Sequence, residues 1–321
     1  MSEQDVLARR FEEHRPHLRA VAYRMLGSLA EAEDAVQEAW FKLNRADSGD
    51  IGNLGGWLTT VVGRVCLDML RSRTSRREDP LHDQDGQVRL PDPVISGPDG
   101  LDPEQEILLA DSVGIALLVV LDTLAPAERL AFVLHDMFAV PFDEIATILD
   151  RTPAGTRQLA SRARRRVQGA APASDTSPAR RRTVVDAFLS AARGGDFEAL
   201  VALLDPDIVA RSDGGALLPS LVRRGAAEVA SQAITFARFA QSGYRVLVNG
   251  TPGVVAMAEG RPISVMSFTI QGDRITGLDF LTDPERLARL DLSALGEPGD
   301  LSNPGEPGSP SNLDDLDDLD G

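Results

Sequence analysis

The sequence predicts a multidomain chain with two all-α domains, the second with a helix-turn-helix, followed by an α+β domain with a mostly antiparallel, curved sheet. Apolar residues recur with helical spacing through residues 1–77 and again through 105–169. Beyond residue 240 the pattern changes to alternating apolar and polar residues, which is typical of strands. With 321 residues, of which 43% are hydrophobic, the chain is large enough for two or three packed domains.

The first helical domain is predicted over residues 1–79. The segment Ala32–Leu43 places apolar side chains on one helix face and acidic or amide side chains on the other. A loop rich in Gly, Asp and Asn follows from Asp47 to Gly56. The next helix carries an apolar stripe and ends in a basic run, since Arg64–Arg77 holds five Arg and one Asp. We expect Trp57, near the start of this helix, to pack in the core.

Residues 80–104 are acidic and contain several prolines, so they are predicted to be a linker. The second helical domain follows over residues 105–169 and contains the clearest motif in the chain. Residues 141–167, with the sequence PFDEIATILDRTPAGTRQLASRARRRV, are typical of a helix, a tight turn and a second helix. Thr152 is a good N-cap for the second helix, and Pro153 suits its first position.

The second helix of this motif has two chemically different faces. At about 100° per residue, its inner arc collects small and apolar side chains that can pack on the first helix. Its outer arc collects polar side chains: Arg157, Gln158, Ser161, Arg164 and Arg165. Such an arc can hydrogen-bond base edges and phosphates in a major groove, so DNA binding is preferred to a solvated basic helix.

The C-terminal third is predicted to contain a linker, a domain and a tail. Residues 170–181 are rich in small residues and form the linker. Residues 182–287 form the α+β domain, in which Gly272–Asp273 has the sequence of a hairpin turn. Residues 288–321 contain the acidic repeat LDDLDDLDG and are expected to be a disordered tail. One hypothesis is that this tail inhibits by folding back on Arg157–Arg166, but an unbound solubility tail is preferred.

Composition excludes several classes of protein. The single cysteine, Cys66, rules out a disulfide framework and a Cys-based zinc site, and neither metal nor cofactor is expected. The first residues hold no apolar run and we find no stretch of eighteen apolar residues, so a cytoplasmic protein is expected. A net charge of −16 disfavours nucleic-acid binding on average, but Arg151–Arg182 concentrates nine Arg against one Asp.

Together these segments resemble bacterial RNA polymerase sigma factors of the extracytoplasmic-function (ECF) group. Residues 32–43, AEDAVQEAWFKL, are similar to the helix that docks on the polymerase clamp. Residues 55–78, GGWLTTVVGRVCLDMLRSRTSRRE, are similar to the helix that reads and melts the −10 promoter element. Residues 121–167 resemble the domain that reads the −35 element. The helical domains would then be sigma domains 2 and 4, and no catalysis by this chain is implied.

The resemblance also implies partners and contact residues. The partners would be promoter DNA and core RNA polymerase, through its β′ clamp and its β subunit, whereas no motif implies an anti-sigma protein. The residues that would bind core polymerase are Glu33, Asp34, Gln37 and Glu38. The −10 contacts would be an arginine track and a pocket residue for a flipped base: Arg64, Arg71, Arg73, Arg76, Arg77 and Asn53. The −35 contacts would be Arg157, Gln158, Ser161, Arg162, Arg164 and Arg165.

The C-terminal domain resembles the SnoaL-like domain, a cone with a curved sheet, that one subgroup of these sigma factors carries after domain 4. Three short motifs of the subgroup have partial counterparts: LPDPV at 90–94, DGGAL at 213–217 and DPERL at 283–287. The resemblance implies that this domain regulates the sigma domains in cis. The residues implied in that role are Asp213, Gly214, Gly215, Asp283, Pro284 and Arg286.

Two other functions are compatible with the sequence. A helix-turn-helix also serves transcription regulators that act without polymerase. SnoaL-like folds include enzymes, and the carboxylates expected near strand ends are Asp213, Asp279 and Asp283. This half of the chain lacks His and Lys, so a regulatory domain is preferred to an enzyme. Four phenylalanines are candidate pocket residues, with core packing as the default: Phe236, Phe239, Phe268 and Phe280.

Overall fold

The computed structural model describes most of the chain as an all-helical half followed by an α+β half. The described residues are 3–46, 51–75, 88–97, 114–170, 176–239 and 242–290, with Leu292, Leu295 and Gly299. Arg76, Arg77 and the acidic repeat of the tail lie outside them. Within the part that is described, every helix is too short or too polar to cross a bilayer.

Three helices form the N-terminal unit: α1 (Glu3–Leu26), α2 (Leu29–Arg45) and α3 (Leu54–Ser75). The predicted apolar face of α2 is buried through Val36, Ala39 and Leu43. Trp57, on α3, is half-buried against the same core, as expected. The helical spacing in the sequence therefore describes this unit correctly.

Four further helices and one π-helical segment form the second unit. They are α4 (Ile115–Asp122), α5 (Pro126–Phe132), the π-helical segment Val133–Met137, α6 (Phe142–Leu149) and α7 (Pro153–Ala170). The helix-turn-helix is confirmed, because α6 and α7 begin at the predicted residues. The π-helical segment has no counterpart in the sequence prediction.

The two helical units share one hydrophobic core rather than standing apart on a tether. Gly63 of α3 makes this possible, since a Cβ there would lie only 3.3 Å from Leu134 Cδ1 and 3.4 Å from Leu130 Cδ1. Ile148 of α6 is also within 3.6 Å of that position. The two predicted helical domains therefore pack directly against each other in this arrangement of the chain.

The α+β half is a seven-stranded sheet with three helices on one face and a fourth, short helix on the other. Its helices are α8 (Pro178–Gly194), α9 (Phe197–Leu203), α10 (Ala226–Ala237) and α11 (Pro284–Leu287). Its strands are β1 (Ile95–Ser96), β2 (Leu204–Asp213), β3 (Leu221–Arg224), β4 (Ser242–Val248), β5 (Thr251–Ala258), β6 (Arg261–Gln271) and β7 (Arg274–Leu281). The order is β1-β4-β5-β6-β7-β2-β3, and among the described strands β2 and β7 pair parallel while the other neighbours pair antiparallel.

In this half the structure agrees with the predicted hairpin turn but differs from the predicted linker. Gly272, at φ +58°, lies in the turn between β6 and β7. Helix α8 begins at Pro178, inside the segment predicted to be a linker, because Ser177 Oγ accepts a hydrogen bond from Arg180 N at 3.3 Å and caps the helix.

The acidic segment before α4 is packed in its described part, residues 88–97. Val88 and Leu90 are buried in a hydrophobic cluster on the face of the sheet opposite α8, α9 and α10. Strand β1 then pairs antiparallel with β4, with Ile95 opposite Val248. Leu292 and Leu295, from the segment predicted to be a disordered tail, pack against the same cluster. The sequence prediction weighted charge and Pro content and missed these apolar side chains.

Candidate functional site

Two local devices fix the turn between α6 and α7. Asp150 adopts the left-handed conformation at φ 53°, ψ 52° and ends α6. Thr152 Oγ1 accepts a hydrogen bond from Gly155 N at 3.1 Å and caps α7. The predicted inner face of α7 is buried: Thr156, Leu159, Ala160, Ala163 and Val167. The opposite, polar face is therefore turned to solvent.

Part of that polar face is held by carboxylates of the same unit. Glu128 of α5 accepts from Arg162 Nε at 2.8 Å and from Arg166 Nη1 at 3.1 Å. Arg164 Nε donates to Asp136 Oδ1 at 2.8 Å. These ion pairs clamp α7 on the helices beneath it, so Arg162 and Arg164 are not fully available to DNA in this arrangement.

The remaining predicted −35 residues face outward and are exposed: Arg157, Gln158, Ser161 and Arg165. The guanidinium carbon of Arg157 lies 5.6 Å from the ring centroid of Phe142. Arg165 Nε donates to the carbonyl of Ser161 at 3.4 Å. Among the described residues, neither Arg157 nor Arg165 has a carboxylate partner, so this set retains its positive charge for a ligand.

The polar face of α2 carries three exposed side chains of the predicted polymerase-binding set: Asp34, Gln37 and Glu38. Glu33 is half-buried instead and pairs with Arg15 of α1. Phe41, which the sequence reasoning did not single out, is 54% exposed beside this face. An acidic face with an exposed aromatic side chain is suited to a basic protein surface with an apolar pocket.

The predicted arginine track on α3 is only partly exposed. Arg64 and Arg71 are exposed and lie seven residues apart, hence on one face. Arg73 turns back, pairs with Glu31 of α2 and donates to the carbonyl of Leu26 at 3.4 Å. The track therefore consists here of Arg64 and Arg71, while the last two predicted arginines lie beyond the described residues.

Asn53, the predicted base-pocket residue, lines a cleft between the two helical units. Its Oδ1 accepts from Gly56 N at 3.1 Å and so caps α3. The cleft is also lined by His17, Thr59 and Phe138. His17 Nε2 lies 3.3 Å from Thr59 Oγ1, and its ring meets that of Phe138 edge-on. Burial, with smaller effects from neighbouring positive charges, lowers the pKa of His17.

Asp213 and Arg286 bind the linker, an arrangement that we name the linker clasp. Asp213 Oδ2 accepts from Leu90 N at 2.8 Å and from Arg286 Nη1 at 2.6 Å. Arg286 Nη2 donates to the Leu90 carbonyl at 2.9 Å and to Asp92 Oδ1 at 2.7 Å. The side chains of Asp213, Arg286 and Asp92 are mostly buried. These charge-assisted hydrogen bonds are therefore stronger than exposed ion pairs.

The same stretch of linker also binds the N-terminal unit. Asp92 Oδ2 accepts from Leu29 N at the start of α2 at 2.9 Å, and the Asp92 carbonyl accepts from the Tyr23 hydroxyl at 2.6 Å. Asn249 Nδ2 donates to that hydroxyl at 2.8 Å, and its Oδ1 accepts from Val94 N at 3.0 Å. Residues from three parts of the chain thus meet at one polar junction.

The other predicted regulatory residues support the linker clasp. Asp283 Oδ1 accepts from Glu285 N at 2.9 Å and caps α11, which begins at Pro284 and carries Arg286. Gly215, at φ +65°, lies so close to the Asp283 carboxylate that a Cβ would collide with it. Gly214 is similarly close to the Leu218 carbonyl.

The sequence reasoning missed Tyr23 and Asn249. Asn249 (φ 50°) and Gly250 (φ 74°) form the turn between β4 and β5. An Asn-Gly pair is a turn signal, and nothing local shows that this side chain also reaches residues more than 150 positions away.

The four candidate pocket phenylalanines separate into two groups. Phe236 and Phe280 line a cavity between the sheet and its helices, with ring centroids 6.5 Å apart. Phe268 packs edge-on against Phe188 in the core, and Phe239 is 64% exposed. The pocket interpretation therefore applies to two of the four.

Comparison with known proteins gives consistent matches along the chain. Residues 10–76 match the Sigma-70 region 2 family, and residues 115–167 match the Sigma-70, region 4 family. A probable ECF RNA polymerase sigma factor SigI from Mycobacterium tuberculosis is 35% identical over 298 residues, which cover 89% of this chain and 97% of that protein. The ECF RNA polymerase sigma factor SigJ of the same species is 44% identical over 215 residues, covering 66% and 67% respectively. The crystal structure of that species' extracytoplasmic function sigma factor SigJ is similar with a TM-score of 0.70 and 32% identity, covering 90% of this chain and 99% of that chain.

Proposed function

The chain belongs to the extracytoplasmic-function group of RNA polymerase sigma factors. From this premise we propose which of its surfaces bind polymerase, which bind promoter DNA and which regulate the two. It is a sigma factor that directs promoter-specific initiation of transcription by core RNA polymerase. The observation that carries this conclusion is the occurrence of both Sigma-70 regions in one chain, in order and followed by the C-terminal domain.

Core polymerase binds the acidic face of α2. Asp34, Gln37 and Glu38 are exposed there, and Phe41 provides an apolar anchor beside them. We assign this face to the β′ clamp and the second helical unit to the β subunit. Glu33 contributes indirectly, because its ion pair with Arg15 fixes α2 on α1.

Promoter DNA is read at two places. The outward residues of α7 contact base edges and phosphates of the −35 element, with Arg157 and Arg165 carrying uncommitted charge. Arg162 and Arg164 position α7 in the free chain through Glu128 and Asp136. On α3, Arg64 and Arg71 begin a phosphate track that continues through Arg76 and Arg77, and Arg73 joins it once its ion pair with Glu31 opens. Asn53 belongs to the pocket for a flipped −10 base.

The free chain is held in a silent arrangement. The −10 and −35 elements are about 25 base pairs apart, which is roughly 85 Å along B-DNA at about 3.4 Å per base pair. Helices α3 and α7 instead pack on the same two helices, α5 and α6, in one core. Because packed helix axes lie about 8–10 Å apart, α3 and α7 are within roughly 20 Å of each other. Both helices therefore reach their elements only after α3 separates from α5 and α6.

The C-terminal domain regulates this separation in cis. It holds the linker through the linker clasp and reaches Tyr23 of the N-terminal unit through Asn249. We place the two sigma domains at residues 1–79 and 105–169, joined by the linker 80–104, and the regulatory domain at 182–287. Because the linker connects the two sigma domains, its release from the C-terminal domain increases the distance by which they can separate.

The two other functions differ from this one in what they require. Sigma factors in general are not enzymes, and the three carboxylates considered for catalysis have structural partners. Asp213 binds the linker, Asp283 caps α11, and Asp279 accepts from Arg211 Nη1 at 3.3 Å. A regulator that acts without polymerase would not need the acidic face of α2.

Run-off transcription with purified core polymerase and the full chain tests the proposal. We expect promoter-dependent transcripts, and we expect the charge reversal Glu38→Arg to reduce them at least tenfold by weakening polymerase binding. Glu198→Arg, at another exposed glutamate on α9, is the matched control and should transcribe like the parent. Absence of transcripts, or equal activity of both variants, would contradict the proposed docking face.

A further inference from the structure

A cavity lies inside the C-terminal domain, on the face of the sheet opposite the linker. Helices α8 and α10 cover it, and strands β2, β5, β6 and β7 form its floor. Its enclosed volume is about 120 Å³, and the empty space including the open mouth is about 920 Å³. An apolar cavity of about 150 Å³ is large enough to stay dry and bind benzene in another protein. The enclosed part is slightly smaller than that, so an aromatic ligand fits when part of it extends into the mouth.

The wall of the cavity is mostly apolar. Its deepest side chains are Phe188, Val254 and Met266, which are buried, and the two rings of Phe236 and Phe280 flank them. Such a wall has no hydrogen bonds to offer a filling of water, so an apolar occupant is favoured.

The charged side chains of the wall are all cationic. The wall contains Arg193, Arg211 and Arg223 beside the neutral polar residues Gln232, Ser212 and Thr282, and none of the described lining residues is Asp or Glu. Gln232 is exposed and Arg223 half-buried, so both lie where the cavity opens. Among the described residues, the Arg223 guanidinium pairs with one carboxylate, Glu228 Oε1 at 2.9 Å, which is exposed. Exposed ion pairs of this kind are weak, so another anion can replace the carboxylate.

We propose that this cavity is a binding site for a small organic molecule with an aromatic or alicyclic body and one anionic group. The body occupies the space between Phe236 and Phe280, and the anionic group faces Arg223 at the mouth. The absence of carboxylates among the described lining residues disfavours a cationic ligand.

The cavity is one residue from the linker clasp. Ser212 and Thr282 lie on its wall, and their hydroxyl oxygens are 3.3 Å apart. Thr282 donates to the Asp213 carbonyl from its backbone N at 2.8 Å and from its hydroxyl at 3.0 Å. An occupant that shifts Thr282 therefore acts on Asp213, whose carboxylate holds Leu90. The link to transcription rests on the proposed function, whereas binding itself does not.

Titration of the full chain with 1-anilinonaphthalene-8-sulfonate, an aromatic dye with one sulfonate, tests the site. We expect saturable binding of one dye per chain. Ala233→Trp fills the cavity from α10 and should weaken binding at least tenfold, whereas Ser231→Trp, on the same helix but outside the cavity wall, should not. Non-saturable binding, or equal affinity of both variants, would overturn the proposal.

A surface variant keeps the test valid if Ala233→Trp fails to fold. Arg223→Gln should weaken the sulfonated dye about fivefold and leave the neutral analogue N-phenyl-1-naphthylamine unchanged. An equal loss of affinity for the two dyes would contradict the proposed contact between the ligand's anionic group and Arg223. Hydrogen exchange of residues 88–97 should change at least twofold when the dye is bound, and no change would remove the link to the linker clasp. Since none of these readouts uses polymerase, their failure is distinct from failure of the sigma function.

Discussion

Arg129 donates two hydrogen bonds to the backbone carbonyl oxygen of Arg24, from Nε at 3.2 Å and from Nη2 at 3.0 Å. Arg129 belongs to α5 of the second helical unit, and Arg24 to α1 of the first. In return, the Arg24 guanidinium carbon lies 4.8 Å from the ring centroid of Phe138 in the second unit. Both arginines are 2% exposed. Each helical unit therefore contributes one buried arginine that contacts the other unit across their interface.

Replacing Arg129 should loosen that interface. Arg129→Met leaves Asp122 without its ion pair and the Arg24 carbonyl without its donor, a loss of about 3 kcal/mol for a buried charge pair. Arg166→Met, which breaks an ion pair whose arginine is 58% exposed, should cost less than about 1 kcal/mol. Denaturant unfolding of the full chain measures both, and equal costs would contradict the role of Arg129.

The outward face of α7 should determine −35 recognition. Arg157→Ala removes an uncommitted cation from that face, and we expect a loss of about 1–3 kcal/mol in binding free energy, or roughly 5–150-fold in promoter activity. Arg238→Ala, which replaces an exposed arginine at the end of α10, is the control and should leave promoter activity unchanged. Run-off transcription on promoters with altered −35 bases gives the measurement, and an unchanged base preference would exclude Arg157 from base reading.

The linker clasp should control exposure of the linker. Asp213→Asn keeps the shape of the side chain but removes the charge that Arg286 and Leu90 N share. We expect hydrogen exchange of residues 88–97 to accelerate at least tenfold, because a buried charge-assisted bond is lost. Asp207→Asn, at an exposed position on β2, should leave that exchange unchanged. Protection equal to that of the parent chain would mean that the clasp does not hold the linker.

Acid should weaken the contact between the helical units through His17. Burial lowers the pKa of His17 below its usual value of 6.5, so the folded chain favours the neutral ring. Its contribution to stability is therefore complete above pH 6.5 and is lost as pH falls through the lowered pKa. His17→Gln should show a shallower loss of unfolding free energy between about pH 6.5 and 5 than the parent, with a constant difference above pH 7.5. Parallel pH profiles would exclude His17 from this dependence.

The sequence predicted the helix-turn-helix well because its signals are local. The Thr152 cap, Pro153 and the two faces of α7 all depend on residues within a few positions of one another. The linker clasp is different, since Leu90 and Asp213 are 123 residues apart. The resemblance identified Asp213 and Arg286 as regulatory, but the linker itself resembled a solvated acidic segment.

Buried arginines were the hardest feature to predict. Arg24 stands in the run AVAYRML at 20–26 and Arg129 in the run AERLAF at 127–132, and the charge-block analysis of the sequence did not separate them from exposed arginines. Their burial follows from the packing of two helical units that the sequence treated as separate. The same holds for Arg73, which was expected to face DNA and instead pairs with Glu31.

The distance between the two helical units, measured in the free chain and on polymerase, tests the central claim most directly. Spin labels at Glu13→Cys on α1 and Gln168→Cys on α7 suit this measurement, since both positions are exposed. The native Cys66 is fully buried and burial raises its pKa to about 12, so it stays unreactive. We predict one short distance in the free chain and a longer one in the complex with core polymerase and promoter DNA. An unchanged short distance in a complex that initiates transcription would contradict the account.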